Sequence, residues 1–506
     1  MSQPDKAVGA GRGVLYIAIA KVYFIIVGFL LETLLPRLLD KAVYGGYTLV
    51  NVWVSNINNV IVTGTVQAVS RQTTADPTRA DEVKAAGLRM QLVMALPIAI
   101  LYALLSPLWA WIEHDPGKAG LMALSAGVVA LYALYTVFVG SANGTRQFHK
   151  QAGLDMTFAT MRVGGILCAA AIGLGVWGAI EAWVAAAALV LVVAVVWVGF
   201  PRDLRAGAVR PMLRYFAGLA FYLIVMNLIM SVDMFLLKRL ITEWFSAHAV
   251  AGDPAILADG QVAHYRIVQN LARLPYQLMI AVTFVVFPLV SRSTFEKDVA
   301  KTRAYVRTTM RYSLVFAGLM GAVLAAEGGP LINLLYANDT SYAAEGWLAT
   351  GVLALGNVAF ALFTIAGAIL NGAGRTQDAI TVACLTLGLL VVGLWVAIPL
   401  GSPGFAVLTI CAGATSAAML LGAVASGWFL FHRLGAFLPV LTVVRVVLAA
   451  VLSIGAGRFL VPHGKVMTLV DAVVCAAIYL GVIVATRELG PADLAALATM
   501  KKSGKG

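Results

Sequence analysis

A chain of 506 residues, 61% hydrophobic and only 12% charged, with a mean hydropathy of +0.89, fits no soluble globular class. Its formal net charge of +12 comes from 36 Lys and Arg against 24 Asp and Glu. The excess lies mostly in short loops between apolar segments, so it reads as membrane topology and attraction to anionic lipid; nucleic acid is excluded as a partner.

Fourteen apolar stretches follow one another, at roughly 13–35, 44–70, 88–112, 119–142, 152–175, 177–199, 213–240, 259–291, 308–328, 344–371, 376–399, 404–431, 438–461 and 466–487. Each exceeds the ~20 residues that cover ~30 Å of hydrocarbon. Barrel strands would alternate polar and apolar residues over ~10 positions, so the spans are predicted as helices. The first is too long for a signal-peptide core and no small-residue cleavage site follows it, so it is expected to remain. Cys168, Cys384, Cys411 and Cys475 all fall in spans without paired spacing, which predicts neither disulfide nor metal site.

Placing the N-terminus in the cytoplasm gives the cytoplasmic segments 24 Lys and Arg and the opposite side seven: Arg37, Lys41, Lys118, Lys238, Arg239, Arg458 and Lys465. That bias puts both termini inside. Five more, Lys21, Arg162, Arg266, Arg273 and Arg445, lie within spans.

The chain repeats itself. Tyr47-Thr-Leu-Val-Asn-Val leads through span 2 to Val69-Ser70-Arg71, and Tyr265-Arg-Ile-Val-Gln-Asn leads through span 8 to Val290-Ser291-Arg292, at offsets of 218 and 221. Asn143-Gly-Thr-Arg146-Gln147 after span 4 matches Asn371-Gly-Ala-Gly-Arg375-Thr-Gln377 after span 10, at an offset of 229 between the arginines. Spans 1–6 are therefore predicted to be duplicated as spans 7–12, with two appended. An even number of spans per repeat relates the halves by an axis along the membrane normal, with the substrate site between them. The predicted fold class is an all-α polytopic membrane protein of 14 transmembrane helices. Two pseudo-symmetric six-helix bundles surround a central cavity and two C-terminal helices follow. Residues 1–212 form the first lobe, 213–432 the second, and 433–506 the appended helices with a basic tail.

Ionisable groups inside a bilayer are costly facing lipid and usually line a cavity. Span 8 places Arg266, Gln269, Asn270, Arg273 and Gln277 on one helix face, and span 2 carries Asn51, Ser55, Asn58 and Asn59 in matching register. Span 1 adds Lys21 and Glu32, about three turns apart, span 5 adds Arg162, and span 7 adds Asn227, Ser231 and Asp233. Arg266 near a span end also fits snorkelling to the interface, and Glu32 or Asp233 also fits simple pairing with these cations or with Lys238. Glu327 and Asp471 lie near span ends and add nothing to this reading. Within the spans cations exceed anions, which suits an anionic cargo rich in hydroxyls. Lys21, Arg266, Arg273 and Arg162 would hold its phosphate; Asn51, Ser55, Asn59, Gln269, Asn270 and Gln277 would bond its sugars. Tyr16, Tyr23, Tyr222 and Tyr265 suit stacking on sugar rings or ordinary packing, and Pro275 and Pro288 suit kinks in span 8. Glu32 and Asp233 are the candidates for ion coupling.

Span 1 with Leu38-Leu39-Asp40-Lys41-Ala-Val-Tyr44-Gly45-Gly46-Tyr47 resembles the start of Wzx-type polysaccharide flippases of the multidrug/oligosaccharidyl-lipid/polysaccharide exporter superfamily. Ser231-Val-Asp233-Met-Phe-Leu-Leu is similar to that family's seventh helix, Tyr265 through Pro288-Leu-Val-Ser291 to its eighth, and Ile369-Leu-Asn-Gly-Ala-Gly374-Arg375 to its tenth. The likeness covers roughly residues 13–432. It implies alternating access, an undecaprenyl-diphosphate-linked oligosaccharide as cargo for O-antigen, capsule or exopolysaccharide synthesis, and a proton or sodium gradient as the drive. It also implies a bacterial inner-membrane location, and a polysaccharide polymerase and chain-length regulator as partners. In related lipid II flippases two extra helices hold the lipid tail; their arginine-rich first helix is absent here, where span 1 has only Lys21.

A multidrug or cation antiporter of the same fold would want carboxylates to dominate its cavity. A membrane polymerase or ligase would want a large outer loop with catalytic groups, and residues 241–260 hold Glu243, His248, Asp253 and Asp259 in no recognisable arrangement. No phosphate-cradling loop is found, so no nucleotide or other cofactor, no metal and no catalytic residue is predicted.

Overall fold

The computed structural model describes residues 3–295, 297–336, 345–460 and 464–490, and the chain is helical with no strand among them. The helices are α1 (Gln3–Leu38), α2 (Lys41–Ala75), α3 (Ala80–Leu104), α4 (Ser106–Ile112), α5 (Ala119–Gly144), α6 (Phe148–Ala171), α7 (Gly175–Val198), α8 (Val209–Ile229) and α9 (Val232–Ala247). They continue as α10 (Pro254–Ala272), α11 (Leu274–Phe295), α12 (Val299–Leu335), α13 (Trp347–Gly372), α14 (Thr376–Ala397), α15 (Phe405–Leu434), α16 (Val440–Phe459) and α17 (Lys465–Ala485). Eleven described segments are long and apolar enough to cross a bilayer. The polar α2 and the broken α10–α11 pair are not among them. Exposed valines such as Val192 and Val196 on α7, Val392 on α14, Val444 on α16 and Val473 on α17 form a surface that water would not tolerate and lipid solvates.

Seventeen helices serve the fourteen spans because three spans are interrupted, each for a local reason. Pro107 opens α4 just after the break at Leu105. Between α8 and α9, Ser231 Oγ donates to the Asn227 carbonyl at 2.7 Å, a back-bond that bends a helix. Between α10 and α11 the break falls at Arg273, two residues before Pro275, whose ring removes one backbone N–H and crowds the preceding turn. The kink expected near Pro275 is there.

The chain divides into two compact units, Met1–Arg266 and Ile267–Gly506. The first thus contains α8, α9 and most of α10 besides residues 1–212. Within it, α5 is central and packs on α2, α3 and α7, while α6 packs on α1 and α7 and α8 on α2. Within the second unit, α13 packs on α11, α12 and α15, and α14 on α15. In span order, four touches two, three and six, and ten touches eight, nine and twelve. The duplication read from the sequence is therefore a duplication of packing. The appended α16 and α17 pack on each other and on α12.

With little hydrophobic drive between helices in lipid, close approach supplies the packing energy. Gly140 and Gly144, one turn apart on α5, allow it: an added Cβ would lie 2.8 Å from the Val69 Cβ or 2.8 Å from the Ser70 carbonyl of α2. Ser70 also donates to Asn143 at 2.6 Å, and Asn143 donates to Gln151 at 2.7 Å.

The repeated turns after α5 and α13 align differently from the arginine match. Gln147 N donates to the Ala142 carbonyl as Arg375 N does to Leu370, and the left-handed residue is Arg146 (φ 61°) in one and Gly374 (φ 73°) in the other. The offset is thus 228, fixed by Asn143 and Asn371, and Arg146 pairs with glycine. A side chain in this conformation costs about 1 kcal/mol or more. Arg146→Gly should raise the thermal midpoint of the detergent-solubilised protein; a lowered midpoint would show that the Arg146 side chain holds the turn.

Candidate functional site

Several of the polar side chains singled out in the sequence meet in the first unit. Tyr44, Tyr47 and Asn51 share one face of α2 at steps of three and four, opposite Glu32 of α1 and Arg162 of α6. Arg266 of α10 donates from Nη2 to Glu32 Oε1 at 2.6 Å and from Nε to Oε2 at 3.3 Å, while Tyr44 donates its hydroxyl to Oε2 at 2.8 Å. These two charged side chains are only 13% and 19% exposed. Arg162 Nη2 donates to Asn51 Oδ1 at 2.9 Å, and its guanidinium lies 4.2 Å from the Trp183 ring centroid. Ser55 completes this group, donating to Asn51 Oδ1 at 3.5 Å. Tyr47, buried, lies within electrostatic range of Arg162, Glu32 and Arg266 alike.

Of the two readings open for each residue, Arg266 does not snorkel and Glu32 does pair with a span cation: they hold each other in a two-point fork. Such a pair survives burial because each charge cancels the other's desolvation, and removing one partner costs about 3–5 kcal/mol.

Other residues of the polar stripes serve helix contacts. Asn59 Nδ2 donates to Asn227 Oδ1 at 3.0 Å and Tyr215 to Gln67 at 3.3 Å, which zips α2 to α8, and Asn56 Nδ2 donates to Ser231 Oγ in the turn before α9 at 2.9 Å. Asp233 is buried in the first turn of α9, where it accepts from the Met234 N–H at 2.9 Å and from Tyr265 at 3.0 Å. Gln269, Asn270, Arg273 and Gln277 belong to the second unit. Gln269 is buried, Arg273 and Gln277 are half-buried, and Asn270 Nδ2 donates to the Tyr336 hydroxyl at 3.4 Å. The side chain of Lys21 lies outside the described residues.

A second charge cluster went unread in the sequence. Lys118 Nζ bonds Asp259 at 2.6 Å and Asp115 at 2.7 Å; Lys238 Nζ bonds Asp259 at 2.8 Å, the Ala255 carbonyl at 2.6 Å and Asp115 at 3.5 Å. Lys238 is thus engaged here. Gly45 lets α2 reach this clamp, because any Cβ there would sit 2.0 Å from the Asp259 carbonyl. That explains the Tyr-Gly-Gly-Tyr motif: glycines against α10, tyrosines toward the ion pair. Beside the clamp, in the turn after α4, Glu113 accepts from the Trp53 indole, and its other oxygen is buried without a partner. Burial pushes its carboxyl up to about 7, against the pull of Lys118, the Trp53 bond and Lys238. Asp155 on α6, which accepts from Tyr135 at 3.5 Å, was also missed. Apart from Lys118 and Asp115, three residues apart, the partners in these contacts are distant in sequence, so no local pattern announces the cluster.

The fold is that of an all-α polytopic membrane protein with charge pairs buried among its helices. A family model described as polysaccharide biosynthesis protein matches residues 34–343, and the chain belongs to that family. Among solved structures it is similar to the lipid II flippase MurJ in an inward closed conformation, at 13% identity and a TM-score of 0.74, over 94% of this chain and 99% of that one. It is also similar to a MOP superfamily transporter from Pyrococcus furiosus (13%, 0.60, over 84% and 95%). An inward-facing multidrug resistance MATE family transporter follows (17%, 0.61, over 84% and 98%). No curated protein matches the sequence significantly.

Glu113 generates a pH prediction with a definite sign. Its raised value means the folded chain holds a proton that the unfolded chain has released, so stability falls as pH rises from about 4.5 to about 7 and then levels. The loss is on the order of 3 kcal/mol. Denaturation profiles over this range should flatten in Glu113→Gln; an unchanged slope would mean that Glu113 is ionised in the fold.

Proposed function

We propose that the protein is a flippase that moves an undecaprenyl-diphosphate-linked oligosaccharide across the bacterial inner membrane by ion-coupled alternating access. Family membership supplies the biosynthetic setting, and the relative MurJ is by its name a flippase of a lipid-linked precursor. The observation that carries the reading is the Glu32–Arg266 fork with Arg162 close by. A diphosphate presents the same bidentate anionic face to a guanidinium as a carboxylate does. The cargo would therefore compete with Glu32 for Arg266, and a displaced Glu32 would take up a proton or sodium ion.

On this reading the lobes 1–212 and 213–432 are the moving parts, residues 433–506 accompany the lipid tail, and both termini face the cytoplasm. Lys21 and Arg273 would add to phosphate binding. Asn51, Ser55, Asn59, Gln269, Asn270 and Gln277 would bond sugars as their present hydrogen bonds open, and Asp233 would be a second ion-coupling group. Membrane lipid surrounds the chain, and a polymerase and chain-length regulator act on the delivered repeat units. The protein is a transporter and not an enzyme.

The direct test is flipping of a fluorescent undecaprenyl-diphosphate glycan in proteoliposomes of the purified protein. Wild type should flip it, faster with an imposed ion gradient; Arg266→Ala and Arg273→Ala, compared at equal amounts of reconstituted folded protein, should each slow flipping at least about tenfold. Export of cationic dyes without glycan flipping would instead make the chain a multidrug antiporter.

A further inference from the structure

Glu327 on α12 and Asp471 on α17 take no part in the site above, yet each is only 1% exposed. Both carboxylate oxygens of Asp471 are buried without a hydrogen-bond partner among the described residues. Glu327 Oε1 has the Cys475 thiol 4.0 Å away. Cys475 stands one turn beyond Asp471 on α17, so both carboxyls lie along the α12–α17 seam, near enough for their charges to interact. α16 closes the seam. A Cβ on its Gly457 would lie 3.0 Å from Glu327 Oε1 and 3.2 Å from Cys475 Sγ, and Ser453 Oγ donates to the Cys475 carbonyl at 2.9 Å.

One cation, Arg458 of α16, lies within electrostatic range of Glu327, but among the described residues no ion pair reaches either carboxyl. Arg458 of α16 is exposed, its guanidinium 3.4 Å from the Trp347 ring centroid. Lys465 is exposed at the start of α17. Tyr479 of α17 donates to the Val315 carbonyl at 2.9 Å, and α13 carries no charged residue. Arg433 of α15 belongs to the far end of α12, beside Leu434, whose carbonyl accepts from Arg303, some 24 residues or about 36 Å along the helix from Glu327. Two carboxylates cannot both stay ionised when taken out of water side by side with one solvent-exposed cation in range and no ion pair to it.

We infer that Glu327 and Asp471 form a proton-binding site, which holds one proton between the two carboxyls while the seam is closed and returns it to water when α16 and α17 part from α12. The ligand is a proton taken from bulk water onto a carboxylate oxygen; no other bond changes. The site stands independently of the cargo, since its occupancy is read without any.

Infrared spectra of the full chain in lipid vesicles, without cargo and in a Glu113→Gln background, test it. A carbonyl band of one protonated carboxyl should persist at neutral pH and disappear on alkaline titration. E327Q and D471N should each abolish that titrating band, and added sodium at constant pH should leave it unchanged. A wild-type spectrum lacking the band, which needs no variant to fold, overturns the proposal. So does a band untouched by D471N, or one that sodium removes, which would make the pair a metal-cation site.

Discussion

A charge inside hydrocarbon has to be answered by another charge or by hydrogen bonds, and this constraint organises the protein. Glu32 and Arg266 answer each other across 234 residues of sequence. Arg162 is answered by Asn51 and the face of Trp183, and Lys238 by Asp259 and Asp115. These contacts hold α1, α2, α6, α7, α9 and α10 in one unit without a large hydrophobic contribution between helices, which lipid does not provide. On the proposed function, the pairing that stabilises one arrangement would also be the lever: cargo that replaced one partner would release the other, and the helix that carries it.

The remaining packing follows from backbone proximity. Glycines on α5 admit α2, and Gly45 admits the backbone of α10. The same central role falls to α5 in one unit and α13 in the other. Duplication preserved the packing scheme more faithfully than the residues. The positive-φ position held by Arg146 in the first copy is the more comfortable Gly374 in the second.

Much of this was legible in the sequence because hydrophobic length and polar spacing are local properties. The spans, the duplication, the polar face of α2 with Asn51 and Ser55, and the break near Pro275 follow from such patterns. Pairing is not local. Nothing in the spacing of Glu32 says that it meets Arg266, and Lys118 and Asp259 look like unrelated loop charges until α9 and α10 fold back. Glu327 and Asp471 look like span-end residues because distance along a helix does not reveal that α16 covers them. Asn59, read as a sugar ligand, bonds Asn227 of α8, since an amide serves helix packing as readily as a cargo.

The central claim is that the cargo diphosphate and the Glu32 carboxylate contend for one guanidinium. Equilibrium binding of an undecaprenyl-diphosphate sugar to the full-length protein, with Glu32→Gln set beside wild type, measures that contest directly. Removing the competitor while leaving Arg266 in place should tighten binding. If Glu32→Gln binds the lipid as weakly as wild type or more weakly, the fork is a structural clamp and the account of coupling is wrong.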